Sequence, residues 1–160
     1  MAELHNTEFK LGQDRGILFL TLVSGDGMNR LTRRRVVALQ QEIESCMKPL
    51  TPLLPLVISG APNFSAGADL NEIKQLSGAD ALMFANLGQE LMGTLAAYPA
   101  PVYACIHGFC MGGGLDLALP VGWLRMGRPT RDYCLSSRVG WPAEGIPANP
   151  DRRDVRARSS

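Results

Sequence analysis

Short apolar runs with the character of strands are spaced along the first two thirds of the chain. Residues 9–11 and 17–22 predict two strands, and Asp, Arg and Gly at 14–16 predict the hairpin turn between them. The run at 53–58 predicts a mostly buried strand that opens onto a loop, and the run at 102–106 predicts another. These strands are the expected framework of a sheet.

Between the strands, apolar positions recur every three or four residues, which is the period of a helix. Thr32 can cap the first helix, whose core-facing residues are Val36, Leu39, Ile43 and Met47. A second helix is predicted over about residues 79–97, with a core-facing side formed by Leu82, Ala85, Leu87, Leu91 and Leu95. A short helix is expected at 115–119. Strands that alternate with helices in this order predict an α/β layered fold with crossover connections.

Three consecutive arginines, Arg33, Arg34 and Arg35, open the first predicted helix. Positive charge at a helix N-terminus opposes the macrodipole, so these side chains are expected to face outward. Two explanations of the triplet stay open at this point. It is either a solvated helix face or the neighbour of an anionic ligand.

The composition is that of a globular protein, with 46% hydrophobic and 19% charged residues. No apolar run approaches the roughly 18 residues of a membrane span, and the first residues lack the basic patch and apolar segment of a secretory signal. The cysteines at 46, 105, 110 and 134 match no metal-ligand spacing. We therefore expect a cytoplasmic protein with reduced thiols, no metal site and no membrane contact.

The net charge of +1 conceals two different compositions. Residues 1–124 carry eight basic and eleven acidic residues, whereas residues 125–160 carry eight arginines and four acidic residues. The second segment is poor in large aliphatic residues, so burial cannot offset the entropy of ordering it. We expect a core at 1–124 and a disordered or irregular Arg/Pro-rich tail at 125–160. The charge of this tail is expected to be solvated, with no specific nucleic acid as a partner.

The tail has the composition of a GC-rich gene that is translated out of register. When the codons of Met126 and Gly127 are read one nucleotide later, a tryptophan codon is forced, and the shifted codons of 132–134 suit a strand. We hypothesise that the chain is truncated or frameshifted after about residues 119–124. A one-base insertion or deletion in the gene near those codons would confirm this hypothesis, and an intact frame would contradict it.

Two loops of small residues each follow a predicted buried strand. The first is F-S-A-G-A-D-L at 64–70, and the second is H-G-F-C-M-G-G-G-L-D-L at 107–117. Small residues let a ligand approach the backbone closely, and the first turn of a helix presents amide N–H groups that no carbonyl has taken. Two such amides directed at one point would form an oxyanion hole, which stabilises negative charge on a carbonyl oxygen.

These two loops, together with the opening segment G-I-L-F-L-T-L…G-M-N-R-L-T, resemble the crotonase superfamily, the enoyl-CoA hydratases and isomerases. The resemblance covers about residues 8–124, roughly the first half of a full-length member. It implies a crotonase-like spiral of ββα units, incomplete in this chain, and an enzyme of fatty acid metabolism that binds an acyl-CoA thioester. It also implies that coenzyme A is part of the substrate, that no separate cofactor is used, and that family members form trimers or hexamers.

The resemblance assigns the two backbone donors to Ala68 and Gly113, which would stabilise a thioester enolate. Asp116 stands where hydratases of this family commonly carry a catalytic glutamate, and its side chain is one methylene shorter. The other residues implied at the CoA site are Met28, Asn29, Arg30, Ala66, Asp69, Leu70, Asn71 and Gly112. An anion beside Arg30 would also give the arginine triplet a ligand.

The second catalytic glutamate of the family has no counterpart in this sequence. Ser136 stands near its position, and Glu144 falls too late in the chain and outside the expected motif. General acid–base catalysis by this chain would therefore lack one of its two groups. We expect its hydratase activity to be impaired or absent.

Two alternatives from other function classes stay open. Gly108-x-x-x-Gly112-Gly113-Gly114 after a strand resembles a dinucleotide-binding loop, which predicts a Rossmann-type module. A chain with an incomplete core would instead be a non-catalytic fragment that associates with partners through exposed apolar surface. A serine hydrolase is not predicted, because Ser65 lies in no G-x-S-x-G turn.

Overall fold

The strands of the sheet lie side by side in the order in which they occur in the chain. The computed structural model describes residues 4–5, 8–48, 53–119 and 132–136. In chain order, the elements are β1 (Leu4–His5), β2 (Phe9–Asp14), β3 (Ile17–Val23), α1 (Arg33–Cys46), β4 (Leu56–Ala61), α2 (Leu70–Ile73), α3 (Gly78–Ala96), β5 (Val102–His107), α4 (Gly113–Ala118) and β6 (Asp132–Ser136). The predicted α/β class is confirmed.

β2 and β3 form the antiparallel hairpin that the sequence predicts, and Asp14 pairs with Ile17 at its end. The two residues between them, Arg15 and Gly16, have φ values of +46° and +76°. Positive φ at both central positions is typical of two-residue turns whose twist matches that of the strands. β2 is longer than predicted, because residues 12–14 continue the ladder up to this turn.

Two crossover connections build the layer of helices. α1 joins β3 to β4, and α2 with α3 joins β4 to β5; each connection links a pair of parallel strands. Thr32 caps α1 as predicted, since its hydroxyl accepts a hydrogen bond from the backbone nitrogen of Arg35 over 3.2 Å. The helices and the sheet enclose a core, whose buried members include Leu20, Leu39, Ile43, Ile58, Leu91, Leu95 and Ala104.

The prediction for the face of α3 is half right. Leu91 and Leu95 are buried, but Leu82 has 63% of its surface exposed and Ala85 is exposed as well. A helical period shows which residues share a face, and it does not show whether anything lies opposite that face. Among the described residues, Leu82 and Ala85 therefore stay open to solvent, whereas Leu87, which was also predicted to face the core, is half-buried against it.

β4 runs through residues that the sequence assigns to a loop. Ser59 and Gly60 pair with Thr21 and Leu22 of β3, and the ladder continues to Ala61. The Oγ atoms of Thr21 and Ser59 lie 3.1 Å apart as a buried hydrogen-bonded pair. A polar residue and a glycine weaken the strand signal of a single sequence, and pairing with a neighbouring strand overrides that signal.

The expectation that all three arginines face outward is wrong for Arg35. Only 4% of this side chain is exposed, because it lies on the same face of α1 as Val36 and Leu39, which are in the core. Its guanidinium donates to the backbone oxygens of Val23 over 2.6 Å and Arg30 over 2.9 Å. Burial lowers the pKa of Arg35, an effect that the nearby Glu8 carboxylate opposes.

Residues 132–136 are the described part of the expected tail. They form β6, which pairs antiparallel with β5 from Tyr103 to His107. The tail was expected to lack regular structure, so this short strand differs from the prediction. It forms because hydrogen bonds to the edge strand β5 satisfy the backbone groups of residues 132–136. The remainder of the tail, together with Glu144, lies outside the described residues, so its lack of a fold stays a prediction.

Candidate functional site

Three loops that follow parallel strands meet at one edge of the sheet. β3, β4 and β5 are parallel to one another, so their carboxyl ends lie side by side. We refer to the segments after these ends as the first, second and third loops, which span residues 24–31, 62–69 and 108–112. Both glycine-rich motifs of the sequence analysis fall in this group.

Backbone hydrogen bonds join the three loops. The nitrogen of Leu31 in the first loop donates to the oxygen of Gly67 in the second over 2.8 Å. The nitrogen of Ser65 in the second loop donates to the oxygen of Phe109 in the third over 2.9 Å, and the nitrogen of Met111 donates back to Ser65 over 3.1 Å. Because these bonds are made by the backbone, they fix the loops relative to one another.

Ala68 and Gly113, the two predicted donor residues, lie next to each other. A Cβ atom placed on Gly113 would be 3.5 Å from the nitrogen of Ala68, and one placed on Gly67 would be 3.1 Å from the nitrogen of Gly113. Since a Cβ lies about 2.5 Å from the nitrogen of its own residue, the Ala68 and Gly113 nitrogens are within about 6 Å of each other. The φ of Gly67 is +84°, which a glycine adopts without strain.

The N–H groups of Ala68 and Gly113 donate to no acceptor among the residues that the structure describes. The neighbouring backbone amides, in contrast, do have acceptors. Those of Gly67 and Asp69 on either side of Ala68, and that of Gly114 after Gly113, all donate within the loops. Few backbone donors in folded proteins stay unpaired, so these two half-buried groups are available to an acceptor on a ligand.

At the start of α4, the first amide, that of Gly113, has no acceptor among the described residues, whereas those of Gly114 and Leu115 donate to Met111 and Gly112. Gly112 precedes the helix with a φ of +49°, and it has no side chain that would cap the first turn. Asp116 lies in this turn, where its own nitrogen donates to the oxygen of Gly112 over 3.1 Å. Its carboxylate is exposed and has no hydrogen-bond or ionic partner within the described residues, so it is free to meet a ligand.

Arg30 forms an ion pair with Asp26 in the first loop. The hydrogen bond from Arg30 is the largest cause that holds the pKa of Asp26 well below its usual value, and the same bond raises the pKa of Arg30. Both side chains are partly exposed, with 39% of Arg30 and 51% of Asp26 open to solvent. An anionic group that binds Arg30 therefore has to compete with Asp26.

The arginine triplet does not form one anion-binding cluster. Arg35 is buried, whereas the exposed Arg34 lies 3.3 Å from the carboxylate of Glu8. The guanidinium of Arg33 instead donates to the backbone oxygen of Asp80 in α3 over 3.4 Å. The three guanidinium groups thus have different surroundings, which favours a structural explanation of the triplet.

The residues implied at the CoA site differ in exposure. Leu70, Asn71 and Gly112 are exposed, and most of the others are half-buried, namely Met28, Arg30, Ala66, Ala68, Asp69 and Gly113. Asn29 is fully buried, and its side-chain nitrogen donates to the oxygen of Asn63 over 2.6 Å. Its side chain therefore holds the first loop against the second instead of reaching a ligand from solvent.

Sequence reasoning missed a polar network beneath the two unpaired amides. Ser65 is fully buried, and its hydroxyl donates to the oxygen of Asn29 over 2.7 Å. Asn63 donates to the oxygen of Gly27 over 3.0 Å and accepts from the nitrogen of Phe109 over 3.2 Å. The sequence shows only a serine and an asparagine among small residues, and no local pattern reveals that they connect three loops.

A family model described as enoyl-CoA hydratase/isomerase matches residues 17–123, more than half of the chain. Solved structures with a similar fold include an enoyl-CoA hydratase/carnithine racemase from Magnetospirillum magneticum, at 28% identity and a TM-score of 0.67. A putative enoyl-CoA hydratase from Streptomyces coelicolor is 25% identical, with a TM-score of 0.64. An enoyl-CoA hydratase from Bacillus anthracis, at 22% identity and a TM-score of 0.64, shares the fold.

The chain spans a little under half the length of these structures. The matched regions cover 74%, 75% and 71% of this chain but only 45%, 46% and 45% of the three proteins. The crotonase-like fold that the two glycine loops imply is thereby confirmed for the matched region. Among the described residues, no helix is both long and apolar enough to cross a bilayer.

The Rossmann-type alternative is wrong. Dinucleotides bind in open α/β sheets where the strand order reverses, and the described strands follow one another without such a reversal. The loop that resembles a dinucleotide-binding motif leads into α4, which is only six residues long. Its glycines have another role here, since they bring the third loop against Ser65 and Gly67.

Proposed function

Because this chain belongs to the enoyl-CoA hydratase/isomerase family, we propose that it binds an acyl-CoA thioester through the backbone amides of Ala68 and Gly113. The observation that carries this proposal is the pair of adjacent N–H groups with no acceptor in the described structure. A thioester carbonyl is an acceptor that can use two donors at once, since its oxygen has two lone pairs.

Two hydrogen-bond donors on one carbonyl oxygen favour the formation of an enolate. When a proton leaves the carbon next to the thioester, the electron pair moves onto the carbonyl oxygen, which becomes negative. Donors that are already in position stabilise this charge more than the neutral carbonyl, and each such donor is worth about 2.7–4 kcal/mol in other enzymes. The same arrangement serves hydration, isomerisation and other reactions at a thioester.

Exposed residues beside the amides provide a surface for the coenzyme A part of the ligand. Arg30 has a partly exposed guanidinium that can exchange Asp26 for a phosphate. Leu70 has 66% of its surface exposed at the start of α2, directly after Asp69, which caps this helix. An apolar residue beside the carbonyl site suits the acyl chain or the pantetheine arm.

The proposed activity of this chain is weak. Asp116 is the candidate acid or base in the matched region, and it is exposed at the start of α4. General acid–base catalysis contributes about 10²–10⁴-fold per group, so a chain with one such group would bind thioesters much better than it turns them over. Hydration of crotonyl-CoA at ordinary enzyme rates would contradict this part of the proposal.

The backbone donor of Gly113 can be removed by substitution. Gly113 is the first residue of α4, where proline is tolerated because the missing N–H has no partner inside the helix. Gly113→Ala is the matched control, because it keeps the N–H and adds the same Cβ, which would lie 3.3 Å from the Leu31 side chain. Only the proline variant loses the donor.

The experiment compares two ligands by titration calorimetry. One is butyryl-CoA, and the other is S-butyl-CoA, a thioether that lacks the carbonyl. We expect the wild-type chain and Gly113→Ala to prefer the thioester, and Gly113→Pro to lose about tenfold or more of that preference. Equal affinity of the wild type for both ligands, or binding of neither, would contradict the proposed function.

A further inference from the structure

We infer that Ser65 is a positioning residue that sets the distance between the Ala68 and Gly113 amides, an inference that rests on the proposed function of those amides. Ser65 has no exposed surface, so it cannot touch a ligand. Its contacts reach both donor segments. A hydroxyl that acts on a ligand only through the backbone of its neighbours has a positioning role.

The hydroxyl of Ser65 uses both of its hydrogen-bonding functions. It donates to the backbone oxygen of Asn29 over 2.7 Å and accepts from the backbone nitrogen of Gly67 over 3.1 Å. Gly67 is the residue before Ala68, so this bond fixes the peptide that immediately precedes the one with the Ala68 N–H. It also ties that peptide to the first loop through Asn29.

The backbone of Ser65 holds the third loop. Its nitrogen donates to the oxygen of Phe109 over 2.9 Å, its oxygen accepts from the nitrogen of Met111 over 3.1 Å, and these bonds form a parallel bridge between Ser65 and Cys110. A Cβ placed on Gly114 would lie 2.8 Å from both the Cβ and the oxygen of Ser65. The start of α4 therefore rests directly on Ser65.

Ser65 thus contacts both Gly67, which precedes the Ala68 amide, and Gly114, which follows the Gly113 amide. Two donors act together on one oxygen only if their separation is maintained, because a displacement of about 1 Å weakens catalysis markedly. Without the hydroxyl, the Gly67 nitrogen and the Asn29 oxygen lose a buried partner. A shift of the second loop that recovers these bonds would move Ala68 away from Gly113.

The test uses the full chain and two serine-to-alanine variants. Ser65→Ala removes the hydroxyl between the loops. Ser59→Ala is the matched control, because Ser59 is also buried, at 1% exposure, and its hydroxyl pairs with Thr21 inside the sheet, away from the loops. Ser65→Cys is a third variant that keeps a side chain of similar shape with weaker hydrogen bonds, so it should be intermediate.

Two measurements are made on each variant. Amide NMR spectra follow the Gly67, Ala68 and Gly113 signals without ligand, and calorimetry gives the preference for butyryl-CoA over S-butyl-CoA. We expect Ser65→Ala to shift these three signals and to lower the preference about five- to tenfold, while affinity for the thioether stays unchanged. Ser59→Ala should leave both the three signals and the preference at wild-type values.

Each outcome supports or overturns the inference. Unchanged Ala68 and Gly113 signals in a folded Ser65→Ala variant would overturn it, and so would shifted signals with a wild-type preference. If Ser65→Ala does not fold, Ser65→Cys decides by the same two criteria. A wild type that does not prefer butyryl-CoA over S-butyl-CoA would contradict the proposed function and the inference that rests on it. A preference that is present in the wild type and reduced only in the Ser65 variants supports both.

Discussion

The Nε atom of Arg35 donates to the carboxylate of Glu8 over 3.1 Å, although Arg35 lies on the buried face of a helix that covers the core. The two side chains have exposed fractions of only 4% and 16%. The remaining guanidinium nitrogens donate to Val23 and Arg30, at the end of β3 and in the first loop. One side chain therefore connects α1, the start of β2 and the first loop.

Loss of this side chain should destabilise the fold. We expect Arg35→Met to lower the free energy of unfolding by about 1.5–3 kcal/mol, because the Glu8 carboxylate and two buried carbonyls lose a charged donor. Urea unfolding followed by circular dichroism measures this. The control is Arg34→Met, whose side chain is 73% exposed, and which should cost less than about 1 kcal/mol. Equal losses in both variants would contradict the buried role of Arg35.

The two halves of α3 should respond differently to truncation. Leu91→Ala removes a fully buried side chain from the core and should cost about 2–5 kcal/mol. Leu82→Ala, one of the exposed positions in the same helix, should change stability by less than about 0.5 kcal/mol. Thermal unfolding of both variants measures the difference. A large loss in Leu82→Ala would mean that a contact outside the described residues covers this half of the helix.

Gly60 in β4 should not accept a side chain. A Cβ there would lie 2.7 Å from the Cα of Phe64, with backbone oxygens of the second loop closer still. Since backbone atoms cannot move aside cheaply, we expect Gly60→Ala to cost about 2 kcal/mol or more in unfolding free energy. Gly12→Ala is the control, because a Cβ in that strand meets nothing within 4 Å. A Gly60→Ala chain as stable as Gly12→Ala would refute this contact.

Tyr98 should make stability depend on alkaline pH. Burial raises its pKa to about 12, and its hydroxyl donates to the oxygen of Leu54 over 3.0 Å. Because the folded pKa exceeds the ordinary value of about 10, the stabilisation is complete below pH 10 and is lost as the pH rises towards 12.

The measurement for Tyr98 is urea unfolding at several pH values between about pH 8 and 11, for the wild type and for Tyr98→Phe. The variant loses the hydrogen bond to Leu54 at all of these values, which should cost about 1 kcal/mol at neutral pH. The wild type should then lose stability above pH 10 more steeply than the variant does. Parallel pH profiles of the two proteins would show that Tyr98 is not responsible.

Local chemistry made much of the fold predictable. The hairpin depends on Arg15 and Gly16, which are adjacent in the chain, and the start of α1 depends on a hydroxyl three residues before the amide that it caps. The two glycine loops were recognisable for the same reason, since small residues after a buried strand form a short motif. Such features need no knowledge of what lies elsewhere in the molecule.

Features that depend on distant residues were not predictable in this way. The buried state of Arg35 requires Glu8 and Val23, and the exposed state of Leu82 depends on whether another layer covers α3. The importance of Ser65 arises because its partners Asn29 and Met111 come from loops that are far apart in the chain.

The sequence by itself determined the α/β class, the hairpin, the helix cap and the presence of two loops of small residues after buried strands, because each depends on neighbours within a few positions. Only the tertiary structure decided that the Ala68 and Gly113 nitrogens lie within about 6 Å and that neither has an acceptor among the described residues. The physical reason is that the separation of two loops is set by the strands beneath them and by a buried hydroxyl between them.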